Sequence, residues 1–296
     1  MRSAQEIFDL IDKVAREDPG IRAVLLNGSR ANTKIRNDKY QDYDLVFLVA
    51  DIEGYVNNPE WVNVFGERII MQIPGQVDIG EDDVNSDDRI TYLMLFKDLN
   101  RIDLTLLEVS KKDSHSDSLT QVLLDKDGLF PERIMPSDRD YWVKKPTQKQ
   151  FHDHCNEFWW VSTYVIKGLL RKELIYAKEM LEIPVRNMFM QLLEWYVGVE
   201  NQFSVNLGAN RKFLKEYISE DLWASVQRTY PNLEAKNMWN SLKEMMAVFE
   251  ELEKEVARRL DYDYRQEEIT NVTEYLKLRE PEFFGQFKQN NRNNTT

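Results

Sequence analysis

Apolar positions in the first 130 residues switch between helical and strand-like spacing. Beyond residue 146 the spacing is helical almost throughout. Ile7, Leu10, Ile11 and Val14 form a helical stripe, with Ser3 and Glu6 placed to close its start as a capping box. Asp18-Pro19-Gly20 ends that helix. Residues 21–26 form a short apolar run of a buried strand, broken by Asn27-Gly28-Ser29-Arg30. A polar loop is expected over 33–40. A second strand is expected over 43–49, its apolar run interrupted only by Asp44. A helical piece over 61–65, a strand over 67–73 and an acidic loop over 78–88 follow. Strands over 90–96 and 101–109 are joined by Lys97-Asp98-Leu99-Asn100, a hairpin turn.

The stretch 131–146 holds three prolines and reads as a linker. Past it, Phe151, Phe158, Val165 and Leu169 share one face of a long helix starting near Thr147. Leu170, Leu174, Ala177 and Leu181 mark the next helix, and Pro184 is expected to open a third that ends at Glu200. Further helices are expected over 211–218, 222–228, 235–260 and 267–278. The fold class is therefore α+β: an N-terminal domain (1–135) with a mixed β-sheet flanked by helices, then a C-terminal all-α domain (146–280). Residues 281–296, rich in Asn and Thr at their end, are expected to form a disordered tail.

Composition narrows the functions. A net charge of −12 repels phosphate backbones, which argues against nucleic acid as a partner and suits a small cationic one. The single cysteine, Cys155, allows no internal disulfide and fits a reducing compartment. Residues 1–10 lack the apolar core of a signal peptide, and no apolar run is long enough to span a bilayer. The expected location is the cytoplasm, with no membrane partner; nothing in the sequence fixes an oligomeric state.

The chemistry concentrates in an ordered set: Gly28-Ser29 after a strand, Asp42 and Asp44 at the start of the next, and Asp103 inside a later apolar strand. Glycine allows close backbone approach to a phosphate, whose oxygens can take the following N–H and hydroxyl groups. Strand period places Asp42 and Asp44 on one face. If the strand of Asp103 lies alongside, three carboxylates meet, and their repulsion calls for a cation. Hard oxygen ligands of this kind select Mg²⁺, and two such ions can serve an in-line displacement at phosphorus. The competing reading is structural: Asp42 caps a strand, Asp44 faces solvent, and Asp103 pairs with Arg101 or Arg89.

This set resembles the nucleotidyltransferase superfamily related to DNA polymerase β. The segments LNGSRAN, QDYDLVFLV, VFGERIIMQIPG, YLMLFKDLNRIDLTLLE, RKELIYAKEML, WYVGVENQFSVNLG and NMWNSL further resemble the aminoglycoside 6-adenylyltransferases, to about Arg279. The resemblance implies transfer of AMP from ATP to a hydroxyl of streptomycin, with Mg²⁺ as cofactor and pyrophosphate as product. It assigns the metals to Asp42, Asp44 and Asp103. The catalytic base is then Asp103 or a helical-domain carboxylate such as Glu157, and the active site is expected between the domains. The loop QIPGQVDIGEDD is more acidic than the family pattern. The rivals are another acceptor on the same fold (a different aminoglycoside, a lincosamide or a protein hydroxyl) and a catalytically silent nucleotide-binding regulator. An intact carboxylate trio argues against the regulator.

Secondary features carry lesser expectations. Asp153, Glu157, Trp160 and Tyr164 lie on one helix face; Asp153, Glu157 and Trp160 could bind guanidinium groups, or form a solvated flank. Lys178, like a helical-domain lysine of related two-domain transferases, could meet the triphosphate, and Arg30 could reach the same phosphates or pair with Asp42 or Glu67. His152 and His154 point apart on a helix and do not make a zinc site.

Overall fold

The chain begins with helix α1 (Ala4–Glu17), closed by the reciprocal Ser3–Glu6 capping box. The computed structural model describes residues 1–74, 89–114, 117–131 and 135–293. The chain divides into two units, Met1–Asp140 and Tyr141–Thr296. In the first, α1 is followed by β1 (Ile21–Asn27), a single turn α2 (Gly28–Ala31), β2 (Tyr43–Val49) and a second short turn α3 (Glu53–Val56). A 3₁₀ stretch, Pro59–Phe65, stands where a helical piece was expected. Then come β3 (Arg68–Gln72), β4 (Arg89–Phe96), β5 (Arg101–Glu108) and β6 (Gln121–Asp125).

The six strands run in the order β3-β4-β5-β2-β1-β6. Only β2 and β5 are parallel; every other neighbouring pair is antiparallel. The sheet is mixed, as expected. Strand β6 has no counterpart in the sequence reading: it is an edge strand whose residues are only partly covered, so it lacks a strong apolar signature.

Alternation divides the sheet into two faces. Tyr43, Leu45, Phe47 and Val49 join Ile102, Leu104 and Leu106 in one core, beneath Ile7, Ile11 and Ala15 of α1. Val46, Leu48 and Leu107 join Ala23 and Leu25 in a smaller core on the other face. Asp44 and Asp103 belong to this second face by the same period of two.

The second unit is helical. Its first helix, α4 (Gln148–Leu170), opens with a Thr147–Gln150 capping box and buries Phe151, Phe158, Val165 and Leu169. Phe158 stacks on Phe249 at 3.6 Å between ring centroids. α5 (Leu174–Met180) continues through a π-turn, Leu181–Val185, into α6 (Arg186–Glu200). Pro184 thus lies inside a widened turn and does not open a helix. The longer i→i+5 loop accommodates its ring and missing N–H, so the helix need not stop.

The helix expected over 211–218 is replaced by two short 3₁₀ turns, because Asn210 and Arg211 both adopt positive φ. α7 (Glu220–Arg228) and α8 (Ala235–Leu260) lie near their expected bounds. The expected disordered tail is corrected over much of its length: α9 (Gln266–Asn293) runs through Pro281. Phe283 is fully buried and stacks on Trp239 at 4.4 Å, and that aromatic burial outweighs the polar composition around it. Among the described residues no helix is long and apolar enough to cross a membrane.

Candidate active site

Three strands bring the candidate site together. In the antiparallel β1–β2 pair, Asn27 faces Asp44; in the parallel β2–β5 pair, Asp44 faces Asp103. Asn27, Asp44 and Asp103 therefore form a row across adjacent strands, each step about 4.8 Å. Alternation keeps all three on the face of the smaller core. The alignment follows from the parallel register of β2 and β5, each of which carries its aspartate as the residue before a Leu.

The chain leaves this row through Gly28, with φ of +67°. Any larger residue would be strained there, and a Cβ would also collide with the Asp44 carboxylate, whose Cγ lies 3.1 Å from that position. Gly28 is required by backbone shape and by space at once, and the Gly-Ser turn lies directly against Asp44. Gln41 Nε2 donates to the Ser29 carbonyl at 3.4 Å. Arg30 donates from Nε to the Asp42 carbonyl (3.0 Å) and from Nη2 to that of Gln41 (2.7 Å), with its guanidinium over the Tyr43 ring at 3.8 Å. Arg30 thus pins the segment that carries Asp42 to the turn. It makes these bonds to backbone carbonyls, not to a carboxylate.

Arg101 lies against two of the three carboxylates. Its Nε and Nη2 donate to the two oxygens of Asp103 at 2.8 and 2.7 Å, and Nη1 lies 3.6 Å from Asp42 Oδ2. The hydrogen bonds it donates to Asp103, then the charges of Asp103, Asp42 and Asp44, hold the guanidinium even more firmly protonated than usual, against the pull of burial. The competing reading of Asp103 as an Arg101 partner thus holds for these side chains. Among the described residues no three Asp, Glu, His or Cys side chains gather closely enough to hold a metal ion. The backbone aligns the carboxylates, and a guanidinium stands beside them.

Arg101 is itself positioned by the β4–β5 turn. Arg2 donates to Asp98 from its backbone N–H (3.1 Å) and from Nε (2.6 Å), and Asn100 Nδ2 donates to Asp98 at 2.8 Å. These donors hold the Asp98 carboxyl well below its usual range, against the opposing pull of burial.

The remaining expected residues lie in the second unit. Lys178 Nζ is held by Glu182 (3.0 Å) and the Pro231 carbonyl (2.6 Å). Asp153 pairs with Lys149 on the exposed face of α4. Glu157 and Trp160 are exposed there too, and Trp160 Nε1 donates to the Tyr164 hydroxyl at 2.8 Å. His152 and His154 bond to different backbone carbonyls, those of Asp263 and Met188. The acidic stretch 78–88 lies outside the described residues.

Two residues of the site escaped sequence reasoning. Asn27 was read only as a strand breaker; it is buried, and its Oδ1 accepts from Thr120 Oγ1 at 3.0 Å. Arg101 was weighed only as a structural partner. The signal available for Arg101 was its spacing of two from Asp103, which puts both side chains on one face.

A mixed sheet with Asp-x-Asp and a third aspartate in register, against a positive-φ Gly-Ser turn, defines the chain as a nucleotidyltransferase. The pattern of the streptomycin adenylyltransferase family matches residues 1–278. An aminoglycoside 6-adenylyltransferase of Campylobacter jejuni is 41% identical over 89% of this chain and 91% of its own. That of Bacillus subtilis (strain 168) is 39% identical over 93% and 98%. A crystal structure of an aminoglycoside 6-adenyltransferase from Bacillus subtilis aligns at 34% identity over 94% of this chain and 98% of that one, with a TM-score of 0.46. The chain belongs to the streptomycin adenylyltransferase family.

Proposed function

We propose that the chain transfers AMP from ATP to a hydroxyl of an aminoglycoside, with streptomycin as the acceptor, in the cytoplasm. The observation that carries the reading is the row of Asn27, Asp44 and Asp103, with Asp44 against Gly28. It sets a positive-φ glycine turn beside hard anionic oxygens. The names of the relatives favour the aminoglycoside acceptor, and the net charge of −12 suits a cationic one.

Mg²⁺ suits the chemistry of the donor set, because Asp42, Asp44 and Asp103 offer only carboxylate oxygens and Asp44 and Asp103 face one another on paired strands. Bound there, Mg²⁺ would neutralise charge on the triphosphate and on the pentacoordinate transition state. Asp42 and Asp44 would hold it, with Asp103 completing the set. Ser29 and the N–H groups of its turn would bind phosphate oxygens. Lys178 and Arg30 are further candidates for phosphate contact; each would first have to leave the carbonyls it now holds.

In the reaction the acceptor oxygen attacks the α-phosphorus. The bond from that phosphorus to the bridging oxygen of the β-phosphate breaks, and pyrophosphate leaves with the electron pair. The hydroxyl proton passes to a carboxylate, which we assign to Asp103, whose side chain is 19% exposed against 38% for Asp42. Asp153, Glu157 and Trp160 of the helical unit would face the guanidinium groups of the acceptor.

The test is to incubate the protein with ATP and Mg²⁺ against streptomycin, other aminoglycosides and a lincosamide, reading each antibiotic by mass. A gain of one adenylyl group on streptomycin is expected. A gain on a different acceptor alone would remove the streptomycin assignment, and no gain on any would remove the reading.

A further inference from the structure

The guanidinium of Arg101 spans the carboxylates to which the proposed function assigns the metals. Its fork occupies both oxygens of Asp103 at 2.8 and 2.7 Å, and a third nitrogen lies 3.6 Å from Asp42. The side chain is 45% exposed, so no packing locks it in this pose. It extends from the first residue of β5, just after the turn fixed by Asp98 and Asn100. The turn places the base of the side chain, and its tip is held by hydrogen bonds to Asp103.

A planar fork that binds a carboxylate in two bonds binds a phosphate equally well. A divalent ion placed among these carboxylates would sit beside a fixed positive charge. The two cations repel, and they compete for the same oxygens. A triphosphate changes that balance, since it brings the ion its own oxygen ligands and gives the guanidinium a new anionic partner.

We propose that Arg101 is the resident cation of the site, excluding the divalent metal until a nucleotide arrives, then exchanging Asp103 for the triphosphate. Arg101 is thus a positioning residue that couples metal and nucleotide binding. Metal alone binds weakly; metal and nucleotide strengthen one another, by the same factor in either order. The proposal rests on the reading of Asp42, Asp44 and Asp103 as metal ligands.

The experiment is calorimetric titration of the full chain with Mn²⁺, alone and in the presence of α,β-methylene ATP, whose α–β bridge cannot be cleaved. Wild type is compared with Arg101→Met, Arg101→Lys and Asp44→Asn, after thermal unfolding has checked that each is folded. Without nucleotide, Arg101→Met is expected to bind Mn²⁺ about ten-fold more tightly than wild type or better. Arg101→Lys, which keeps the charge and loses the fork, is expected to fall between them, and it carries the test if the methionine variant does not fold. With the analogue present the advantage should shrink to a few-fold or vanish. A variant with a merely damaged site binds metal more weakly, so tightening separates the proposal from a structural role. Equal or weaker nucleotide-free Mn²⁺ binding in both arginine variants overturns the proposal. If Asp44→Asn leaves Mn²⁺ binding with the analogue unchanged, the metal assignment itself fails, and the proposal with it.

Discussion

Asp103 on β5 and Glu253 on α8 are both carboxylates, one in each unit, and their surroundings differ in kind. Asp103 keeps 19% of its side-chain surface and accepts from a guanidinium through both oxygens. Glu253 is only 3% exposed and takes the indole N–H of Trp159 at 2.9 Å and the Cys155 thiol. Burial, opposed by those two hydrogen bonds and reinforced by the charges of Glu268 and Glu250, pushes Glu253 up to about 7. Asp103 has a charged partner at a partly open site; Glu253, given neutral donors in a dry interior, drifts toward its neutral form. The partners, more than the residue type, set the two carboxylates apart.

The strongest challenge to this contrast is Asp44→Asn. It keeps size and shape, and removes one charge from the row. Transfer of AMP should fall by about 10³-fold or more, with unfolding temperature and circular dichroism near those of wild type. Turnover close to wild type in a folded variant would mean that the row has no part in the chemistry.

Gly28→Val tests the turn beside that row. At φ of +67°, with the Asp44 carboxylate in the way, a β-branched side chain strains the backbone and displaces the carboxylate. The KM for ATP should rise by roughly ten-fold or more, and stability should drop by about 1–3 kcal/mol. An unchanged KM would locate the phosphates away from Gly28.

Glu253→Gln tests the other half of the contrast. Below about pH 4.5, the ordinary value for Glu, the carboxyl is neutral in both native and unfolded chains. Between there and about 7 the unfolded chain gives up its proton while the native one keeps it. Native stability therefore falls as pH rises, and the loss is complete above about 7. The total is bounded at about 3 kcal/mol. Glutamine still accepts from Trp159 and does not titrate, so the stability difference between variant and wild type should swing toward the variant between pH 4.5 and 8. Denaturant unfolding across that range measures it. Parallel profiles would show that Glu253 stays ionised, and the contrast with Asp103 would collapse.

How far the sequence carried this picture varied with the kind of signal. Strand β2 and helix α8 matched their expected bounds because a strong apolar pattern leaves a helix or strand few alternatives. The site was legible as residue types, since glycine after a strand and aspartates inside apolar runs are locally anomalous. Its geometry was not. That Asp44 lies opposite Asp103 depends on a parallel pairing of β2 with β5, set by partners far along the chain. The Arg101 fork is invisible for the same reason: spacing puts Arg101 and Asp103 on one face, but no local rule says that a guanidinium will also lie 3.6 Å from Asp42. Pro184 misled because a proline usually marks a boundary, and the π-turn that absorbs it has no local signature.

The smallest expected effect belongs to the exposed face of α4. Asp153 is well exposed and already paired with Lys149, itself largely in solvent. Trp160 is 58% exposed, with its indole N–H satisfied by Tyr164. Charges this wet lose most of their Coulomb energy to water and salt, so a guanidinium meeting them gains little unless binding itself expels the water. Asp153→Asn or Glu157→Gln should therefore weaken streptomycin binding by only a few-fold, and the effect should fade between about 20 and 200 mM salt, as the Debye length shrinks. Calorimetry on both variants at the two salt levels measures this. A loss of ten-fold or more that persists at high salt would mean that the acceptor seals this face from solvent, and that α4 holds carboxylates working under conditions closer to those of Asp103. No loss at either salt level would leave the helix a solvated flank and send the search for the acceptor wall elsewhere.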